Sequence, residues 1–287
     1  MKKNLIPLLL FFLLITCKSK DKAPDVSNVK IDFKLQRFDQ EFFAIDTNNI
    51  IPQLNNLHNS FPVVTTIFLN NILALDSTST ISGVRQFRRM SGKLYDTINT
   101  VFKSTDDVEK DLKKSFQYLH YYFPKYPLPV VYTIAGPVDA LAQGDNGPTP
   151  DFLAPGALGI SLQFYLGPQF SVYNDQFFIE NVAPGYRSKR FSREYIPADA
   201  MQLIVSDLYP YKSTAKPLIE QIVEKGKRWW LLDKLLPAKP DSIKTGYTQQ
   251  QLNWCKENEG LIWSVLLKNE DLNTIDPVTI QNYLNEK

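Results

Sequence analysis

Few side chains of this sequence have the types and spacing that metal-dependent or nucleophilic catalysis requires. Neither of its two histidines, His58 and His120, belongs to an H-E-x-x-H motif or to another zinc-binding spacing. The G-x-S-x-G elbow of serine hydrolases, the phosphate-binding P-loop and the dinucleotide-binding G-x-G-x-x-G motif do not occur in it. The sequence therefore predicts no catalytic residue, no metal ligand and no cofactor, and we expect His120 to be a packed or surface residue.

Carboxylates are plentiful, and two groups of them could in principle do acid–base or cation chemistry. Asp139, Asp145 and Asp151 flank a Gly/Pro-rich stretch without EF-hand spacing, so we expect solvated loop acids there. Asp199 and Asp207 fall within an apolar helical pattern, where a carboxylate is costly unless it is paired. Three arginines lie just upstream, Arg187, Arg190 and Arg193. These arginines favour a structural ion-pair network over a catalytic carboxylate.

The residue with the clearest expected chemistry is Cys17, which follows a short apolar run. Lys2 and Lys3 form a basic start, and residues 5–15 are apolar except for Pro7. Eleven helical residues extend about 16 Å, about half of the hydrocarbon core of a bilayer, so the run is too short to span it. A basic start, a short apolar run and a cleavage point are typical of a secretory signal peptide.

The cleavage point L-I-T-C (14–17) resembles the lipobox of bacterial lipoproteins, in which the signal is cut before the cysteine and the cysteine is acylated. We therefore expect a signal peptide over residues 1–16 and lipidation of Cys17. The alternative is a plain secreted protein whose Cys17 is removed or is paired with Cys255. Since Cys255 falls in a helical pattern, we expect it to be a small buried hydrophobe.

The residues after Cys17 indicate which side of the cell envelope the protein faces. Residues 17–28 are mostly polar and contain Pro24, so they are expected to tether the folded domain to the lipid. The segment resembles the start of Bacteroidetes lipoproteins, and that resemblance implies that export to the cell surface would be associated with an acidic run after the cysteine. Here Asp21 is the single acid among three lysines of residues 18–22. The sequence therefore predicts a membrane-anchored lipoprotein of the cell envelope that faces the periplasm.

Size and charge exclude one large class of partners. Removal of residues 1–16 from the 287-residue chain leaves 271 residues, enough for one large core or two modest ones. The signal peptide contains two of the 32 basic residues, so 30 remain against 30 acidic residues. A balanced charge argues against a nucleic-acid partner held by counterion release. The aromatic share of 13% supports a well-packed globular body.

In the first half of the chain, the hydrophobic pattern predicts one strand and then several helices. Strict alternation over 29–35 predicts a half-buried strand, after which Asp39 could cap a short helix. Two helical stretches lie around Pro62 within 48–75, and residues 84–103 are amphipathic. Ser104 or Thr105 is then expected to cap a helix that extends to Phe123.

In the second half, the pattern predicts two interior strands and then three helices. The strands are expected at 129–136 and 159–167, joined by a long loop over 137–157. The helices are expected at about 194–208, 214–235 and 248–268. The fold class that follows is α+β, a predominantly helical single domain with a small β-sheet.

Several blocks resemble the gliding-motility lipoprotein family GldB of the Bacteroidetes. They are R-F-D-Q-E-F-F (37–43), Y-L-G (165–167), R-E-Y-I-P-A-D-A-M (193–201), the residues Glu220, Gly226 and Lys227, and G-Y-T-x-x-Q-L-x-W-C-x-x-N-E-x-x-I-W (246–263). The resemblance extends from about residue 30 to the end, and the last block is the most specific. None of these motifs has an assigned chemical role in the family, so the resemblance implies no catalytic residue.

That family is more distantly similar to a group of zinc-protease-like proteins with a histidine–glutamate motif on the helix after the second strand. The corresponding helix here, 194–208, contains Pro197 and Asp199 but no histidine, which implies a peptidase-like scaffold without its metal. Similar lipoproteins usually continue past N-Y-L into a Gly/Trp-rich helical tail, whereas this chain ends at Lys287. We therefore expect a GldB-like domain over 29–287 that lacks this tail.

The residues and the resemblance together predict a non-catalytic, lipid-anchored envelope protein that supports gliding motility or its associated secretion machinery. Its expected partners are the membrane, through the N-terminal lipid, and envelope proteins of that machinery. Two alternatives stay open. One is a hydrolase on the zinc-protease-like scaffold, and the other is a periplasmic binding module that uses the 137–157 loop.

Overall fold

A small β-sheet with helices on both faces organises the chain, which is described from a computed structural model over residues 23–144, 147–269 and 272–284. The expected signal peptide, Cys17, Asp21 and Asp145 lie outside the described residues. The strands are β1 (Leu35–Gln36), β2 (Val130–Ile134), β3 (Ala142–Gly144), β4 (Gly147–Thr149), β5 (Phe152–Ala154) and β6 (Ala157–Ser161). The predicted class, α+β and predominantly helical with a small sheet, is confirmed.

The helices of the first half are α1 (Phe38–Ala44), α2 (Ile50–Ser60), α3 (Pro62–Ile67), α4 (Thr80–Val101) and α5 (Asp106–Tyr122). Those of the second half are α6 (Gln176–Asn181), α7 (Gly185–Ser188), α8 (Ile196–Leu208), α9 (Leu218–Leu235), α10 (Asp241–Thr245), α11 (Gln249–Glu257), α12 (Glu259–Asn269) and α13 (Pro277–Leu284). Among the residues that the structure describes, no helix is both long enough and apolar enough to cross a bilayer.

The sheet has the order β1-β2-β6-β5, in which β1, β2 and β6 are parallel and β5 is antiparallel to β6. Successive residues of β2 point to opposite faces, as the strand period requires. Val131 packs into a large cluster that includes the buried faces of α5, α8 and α9, and Tyr132 packs into a second cluster with α1, α2 and α3. Covered on both faces, the interior strands are nearly continuous apolar runs, as predicted.

The helix α5 shows how local sequence produces such a face. Three acids in its first turn stabilise the positive end of the helix dipole: Asp106, Asp107 and Glu109. Val108, Leu112, Phe116 and Leu119 recur every three or four residues, and all are buried. The expected cap is only partly present, since Thr105 makes no side-chain cap bond. Ser104 Oγ instead accepts a hydrogen bond from the N–H of Asp106 at 3.2 Å.

The predicted strand over 29–35 is wrong for most of its length, because pairing with the sheet begins only at Leu35. The preceding residues lie along α5. The Phe33 ring packs against Phe116 with centroids 5.1 Å apart, and the Gln117 side chain donates to the Val29 carbonyl at 2.9 Å. Val26, within the segment assigned to the tether, is fully buried in the large cluster. Alternation thus predicted which side chains face the core, but not a strand.

The predicted loop over 137–157 also differs from the structure, since it contains the β3–β4 hairpin and the edge strand β5. Glycine makes the edge pairing possible, because a Cβ on Gly159 would lie 2.1 Å from Cε1 of Phe152. The predicted strand over 159–167 ends early, at Ser161, and continues as a 3₁₀ turn over Leu162–Phe164. The Gly/Pro content of this stretch concealed short strands that pair with their neighbours in sequence.

The predicted helices are mostly confirmed. The two stretches around Pro62 are present as α2 and α3, and Pro197 lies in the first turn of α8. The predicted 248–268 helix is two helices, separated at Asn258. Asp39 is not the cap of α1 but lies in its first turn, where its side chain is buried.

Candidate functional site

The densest group of buried titratable side chains joins the sheet to α8. Asp151 directly precedes β5, Tyr165 follows the 3₁₀ turn after β6, and Asp199 lies in the first turn of α8. The Tyr165 hydroxyl lies 2.8 Å from Oδ2 of Asp151 and 2.9 Å from Oδ2 of Asp199. Asp151 and Tyr165 are buried and Asp199 is half-buried. We call these three residues the carboxyl–tyrosine cluster.

The hydrogen bonding of this cluster involves a shared proton. A phenol has one proton to donate, so both contacts of Tyr165 are satisfied when one of the two carboxyls is protonated and donates to the phenolic oxygen. Burial raises the pKa of Asp151 well above its usual range, and the negative charge of Asp199 adds to the effect. The N–H of Ser161 opposes this shift in the pKa by donating to Oδ1 of Asp151 at 2.9 Å.

The pKa of Tyr165 is likewise raised well above its usual range, first by burial and then by the two aspartates. Tyr165 is therefore a neutral donor over the pH range in which proteins are stable. Because Tyr165 and Asp151 are enclosed, the cluster can hold a proton and fix the relative position of β5, β6 and α8.

A polar layer next to the cluster is also internally satisfied. The Tyr173 hydroxyl donates to the Gln163 carbonyl at 2.6 Å and accepts from the N–H of Leu166 at 3.2 Å. The buried Gln163 side chain accepts from the N–H of Gly136 at 3.0 Å. These bonds hold the 3₁₀ turn after β6 against the end of β2, which places Tyr165 between the two carboxyls.

A second buried polar group lies in the R-F-D block, at the start of α1. Arg37 donates from Nε and Nη2 to the two carboxylate oxygens of Asp39 at 2.9 and 2.8 Å, and from Nη1 to the Phe102 carbonyl at 2.9 Å. Thr133 of β2 donates to the same carboxylate. This bidentate pair joins α1, β2 and the end of α4, which is a structural arrangement.

The remaining candidate residues are the two histidines and Cys255. His58 is exposed on α2 and His120 is half-buried in the last turn of α5. Within the described ranges, no group of three or more His, Cys, Asp or Glu side chains is placed to hold a metal ion. The prediction that Cys255 is buried is wrong, because α11 has no buried residue and the thiol is exposed.

The predictions for the loop acids have a mixed outcome. Asp139 is exposed, as expected. The expectation that Asp151 is solvated is wrong, because its side chain, directly before β5, is fully buried. Tyr165 was not among the predicted site residues, and nothing in its local sequence distinguishes it from other tyrosines of apolar segments. Its role depends on two carboxyls that are 14 and 34 residues away along the chain.

The ion-pair network expected around α8 is corrected at two of its members, Arg193 and Asp207. Arg193 pairs with Asp107 of α5 at 2.6 Å and also donates to the Val101 and Ser104 carbonyls. Asp207 is exposed and accepts from the Tyr126 hydroxyl at 2.7 Å. Arg193 thus joins α8 to the α4–α5 junction, while the roles of Arg187 and Arg190 remain predictions.

Comparison with known proteins identifies the family. No curated protein and no solved structure matches the chain at a significant level. The family model described as gliding motility protein GldB matches residues 19–287. This range includes every block on which the resemblance was based, and both polar clusters lie within it. The chain therefore belongs to the GldB family and is a gliding motility-related protein.

Proposed function

We propose that this protein is a lipid-anchored, non-catalytic component of the cell envelope that supports gliding motility or its associated secretion machinery. The observation that carries the proposal is the match of residues 19–287 to the gliding motility family. The proposed partners are the membrane, through the N-terminal lipid, and envelope proteins of that machinery.

The anchor in this proposal is Cys17, acylated after cleavage of residues 1–16. Its support is the basic start, the short apolar run and the lipobox-like L-I-T-C sequence. More than one acyl chain is needed for stable anchoring, since a single chain binds a bilayer only marginally. Because no acidic run follows the cysteine, the proposed orientation is toward the periplasm.

The proposed absence of catalysis is supported by the carboxyl–tyrosine cluster. Asp151 and Tyr165 have almost no contact with solvent, at 0% and 1% exposure, so a substrate could not reach them without local unfolding. Their polar atoms bond to each other, to Ser161 and to Asp199. Such mutual satisfaction is typical of buried polar groups that stabilise a core.

If the protein were a hydrolase, Asp199 would be the candidate catalytic residue. It occupies the first turn of α8, the helix that corresponds to the metal-binding helix of the zinc-protease group, and it is half-buried. A catalytic Asp199 would have to act on a substrate while it is bonded to Tyr165. This alternative is tested together with the anchor in one complementation experiment.

The experiment is complementation of a deletion strain that has lost spreading, with protein abundance measured by immunoblot for every variant. The wild-type chain and Cys255→Ala are expected to restore spreading, since the exposed thiol of Cys255 has no role in anchoring. Cys17→Ala is expected to be present in soluble fractions without restoring spreading. Asp199→Asn, which keeps an acceptor for Tyr165, is expected to restore it.

Two results would contradict the proposal. Full spreading with a soluble Cys17→Ala protein would make the anchor dispensable for this function. Loss of spreading in Asp199→Asn, at wild-type abundance and in the membrane fraction, would favour the hydrolase alternative.

A further inference from the structure

A shallow apolar cavity lies where the described chain begins, between the end of α5 and α9. It has a volume of about 430 Å³, and its lining includes Ala23, Pro24, Tyr122, Phe123, Trp230 and Lys234. A second depression of about 520 Å³ shares Tyr122 and Phe123 and extends to Lys125 and Leu208. We call the surface around the first cavity the tether face, because it contains the first described residues of the chain.

The most exposed large side chain of the tether face is Trp230, with 63% of its surface exposed. The ammonium group of Lys234 lies 5.1 Å from the centre of the Trp230 ring, a cation–π contact that orients the indole. An indole combines a large apolar body with one N–H donor, and tryptophans are enriched where membranes meet water. An exposed indole beside an apolar cavity therefore suits the headgroup region of a bilayer.

The length of chain before Ala23 brings this face close to the membrane. Six residue steps separate Cys17 from Ala23. A fully extended chain of that length spans about 20 Å, so Ala23 lies within about 20 Å of an acylated Cys17 in any conformation. Trp230 and Ala23 line the same cavity, so the tether face is the part of the described surface that such an anchor holds nearest to the lipid.

The charges near the tether face favour an anionic lipid surface. Three lysines precede Ala23 in the tether, against the single acid Asp21. On the face itself, Lys234 and Asp233 both line the cavity. Asp233 is ion-paired with the buried Lys244, which reduces its repulsion of anionic headgroups. Basic side chains near an anionic membrane surface are attracted to it.

We propose that the tether face rests on the lipid bilayer, with the Trp230 indole among the headgroups of anionic phospholipids. This inference relies on the acylation of Cys17 in the proposed function, and it adds a defined orientation of the domain to the anchor. A bilayer fits this surface better than a protein partner does, since the chain that leads to the lipid leaves the domain at this face.

The test uses the full-length, acylated protein with Cys255→Ser, so that one introduced cysteine is the reactive thiol. Trp230→Cys is labelled with an environment-sensitive fluorophore and reconstituted into vesicles of phosphatidylethanolamine and phosphatidylglycerol that contain headgroup-level nitroxide lipids. Met90→Cys on α4, where Met90 is 72% exposed, is the matched control. Quenching at position 230 is expected to be several-fold stronger than at position 90.

Lys234→Cys is a second reporter on the same face, used if circular dichroism shows that replacement of Trp230 perturbs the fold. Equal quenching at the face and at position 90, in protein that mass spectrometry shows to be acylated, would overturn the inference and leave the anchor intact. An unacylated Cys17 would instead contradict the proposed function. Protection from labelling in native membranes, without quenching in vesicles, would overturn the lipid assignment in favour of a protein cover.

Discussion

The helices α5 and α12 are both rich in apolar residues, but those of α5 are mostly buried and those of α12 are mostly exposed. On α5, Leu112, Phe116 and Leu119 are fully buried in the large cluster. On α12, Leu261 and Leu267 are 58% and 68% exposed, and Trp263 is 42% exposed. Among the described side chains of α11 and α12, none is buried.

This difference shows that an apolar helical segment need not be part of the core. The most specific family block, 246–263, lies largely on α11 and α12, whereas the blocks at 37–43 and 193–201 contribute side chains to the buried clusters. A helix that is apolar on all sides is normally enclosed. The blocks at 37–43 and 193–201 therefore stabilise the fold, whereas the block at 246–263 presents apolar side chains at the surface.

A leucine-to-alanine substitution in each of the two helices should give the largest difference in the free energy of unfolding. Leu112→Ala should lower the free energy of unfolding by about 2–5 kcal/mol, because it leaves a cavity in a closely packed core. Leu261→Ala should change it by less than about 0.5 kcal/mol, since an exposed side chain loses little packing. Urea denaturation followed by circular dichroism measures both. Similar losses would show that α12 is part of the same packed unit as α5.

A smaller loss of stability is expected in the carboxyl–tyrosine cluster, where the buried contacts are polar. Tyr165→Phe removes the hydroxyl that joins Asp151 to Asp199 and should cost about 1–3 kcal/mol, the penalty for leaving a buried polar group unsatisfied. Tyr121→Phe is the matched control, because Tyr121 is half exposed on α5. Unfolding curves in urea compare the two. If Tyr165→Phe were as stable as the control, the cluster would not be a structural element.

What the sequence predicted well depends on neighbours in the chain. Apolar residues that recur every three or four positions predicted α5, and the run at 129–136 predicted β2, since both patterns are local. Pro62 and Pro197 marked helix starts because the missing N–H of proline is harmless in a first turn.

What the sequence did not predict depends on distant partners. Residues 29–34 have the alternation of a strand, but α5 lies where a neighbouring strand would have to be. Asp151 resembles a loop acid until β5 pairs with β6 and Tyr165 reaches it. The helical pattern around Cys255 does not reveal that α11 has no buried face. In the first two cases the deciding contact is separated in sequence from the residue that it affects.

The central structural claim is that Asp151, buried in the folded domain, keeps its proton to a higher pH than an ordinary aspartate does, and the pH dependence of stability tests it directly. An unfolded aspartate has a pKa of about 3.9, whereas the pKa of the folded Asp151 is raised. Above about pH 4 the unfolded state therefore loses a proton that the folded state keeps, so this contribution to stability falls as the pH rises toward the folded pKa.

The measurement is the free energy of unfolding of the wild type and Asp151→Asn as the pH is raised from about 4, the ordinary pKa of an aspartate. Asp139→Asn, which removes an exposed carboxylate, is the control. The stability of the wild type relative to Asp151→Asn should be greatest at the acid end and fall steadily with rising pH, while the control runs parallel to the wild type. A difference between the wild type and Asp151→Asn that is constant with pH, or that grows as the pH rises, would contradict the shared-proton cluster.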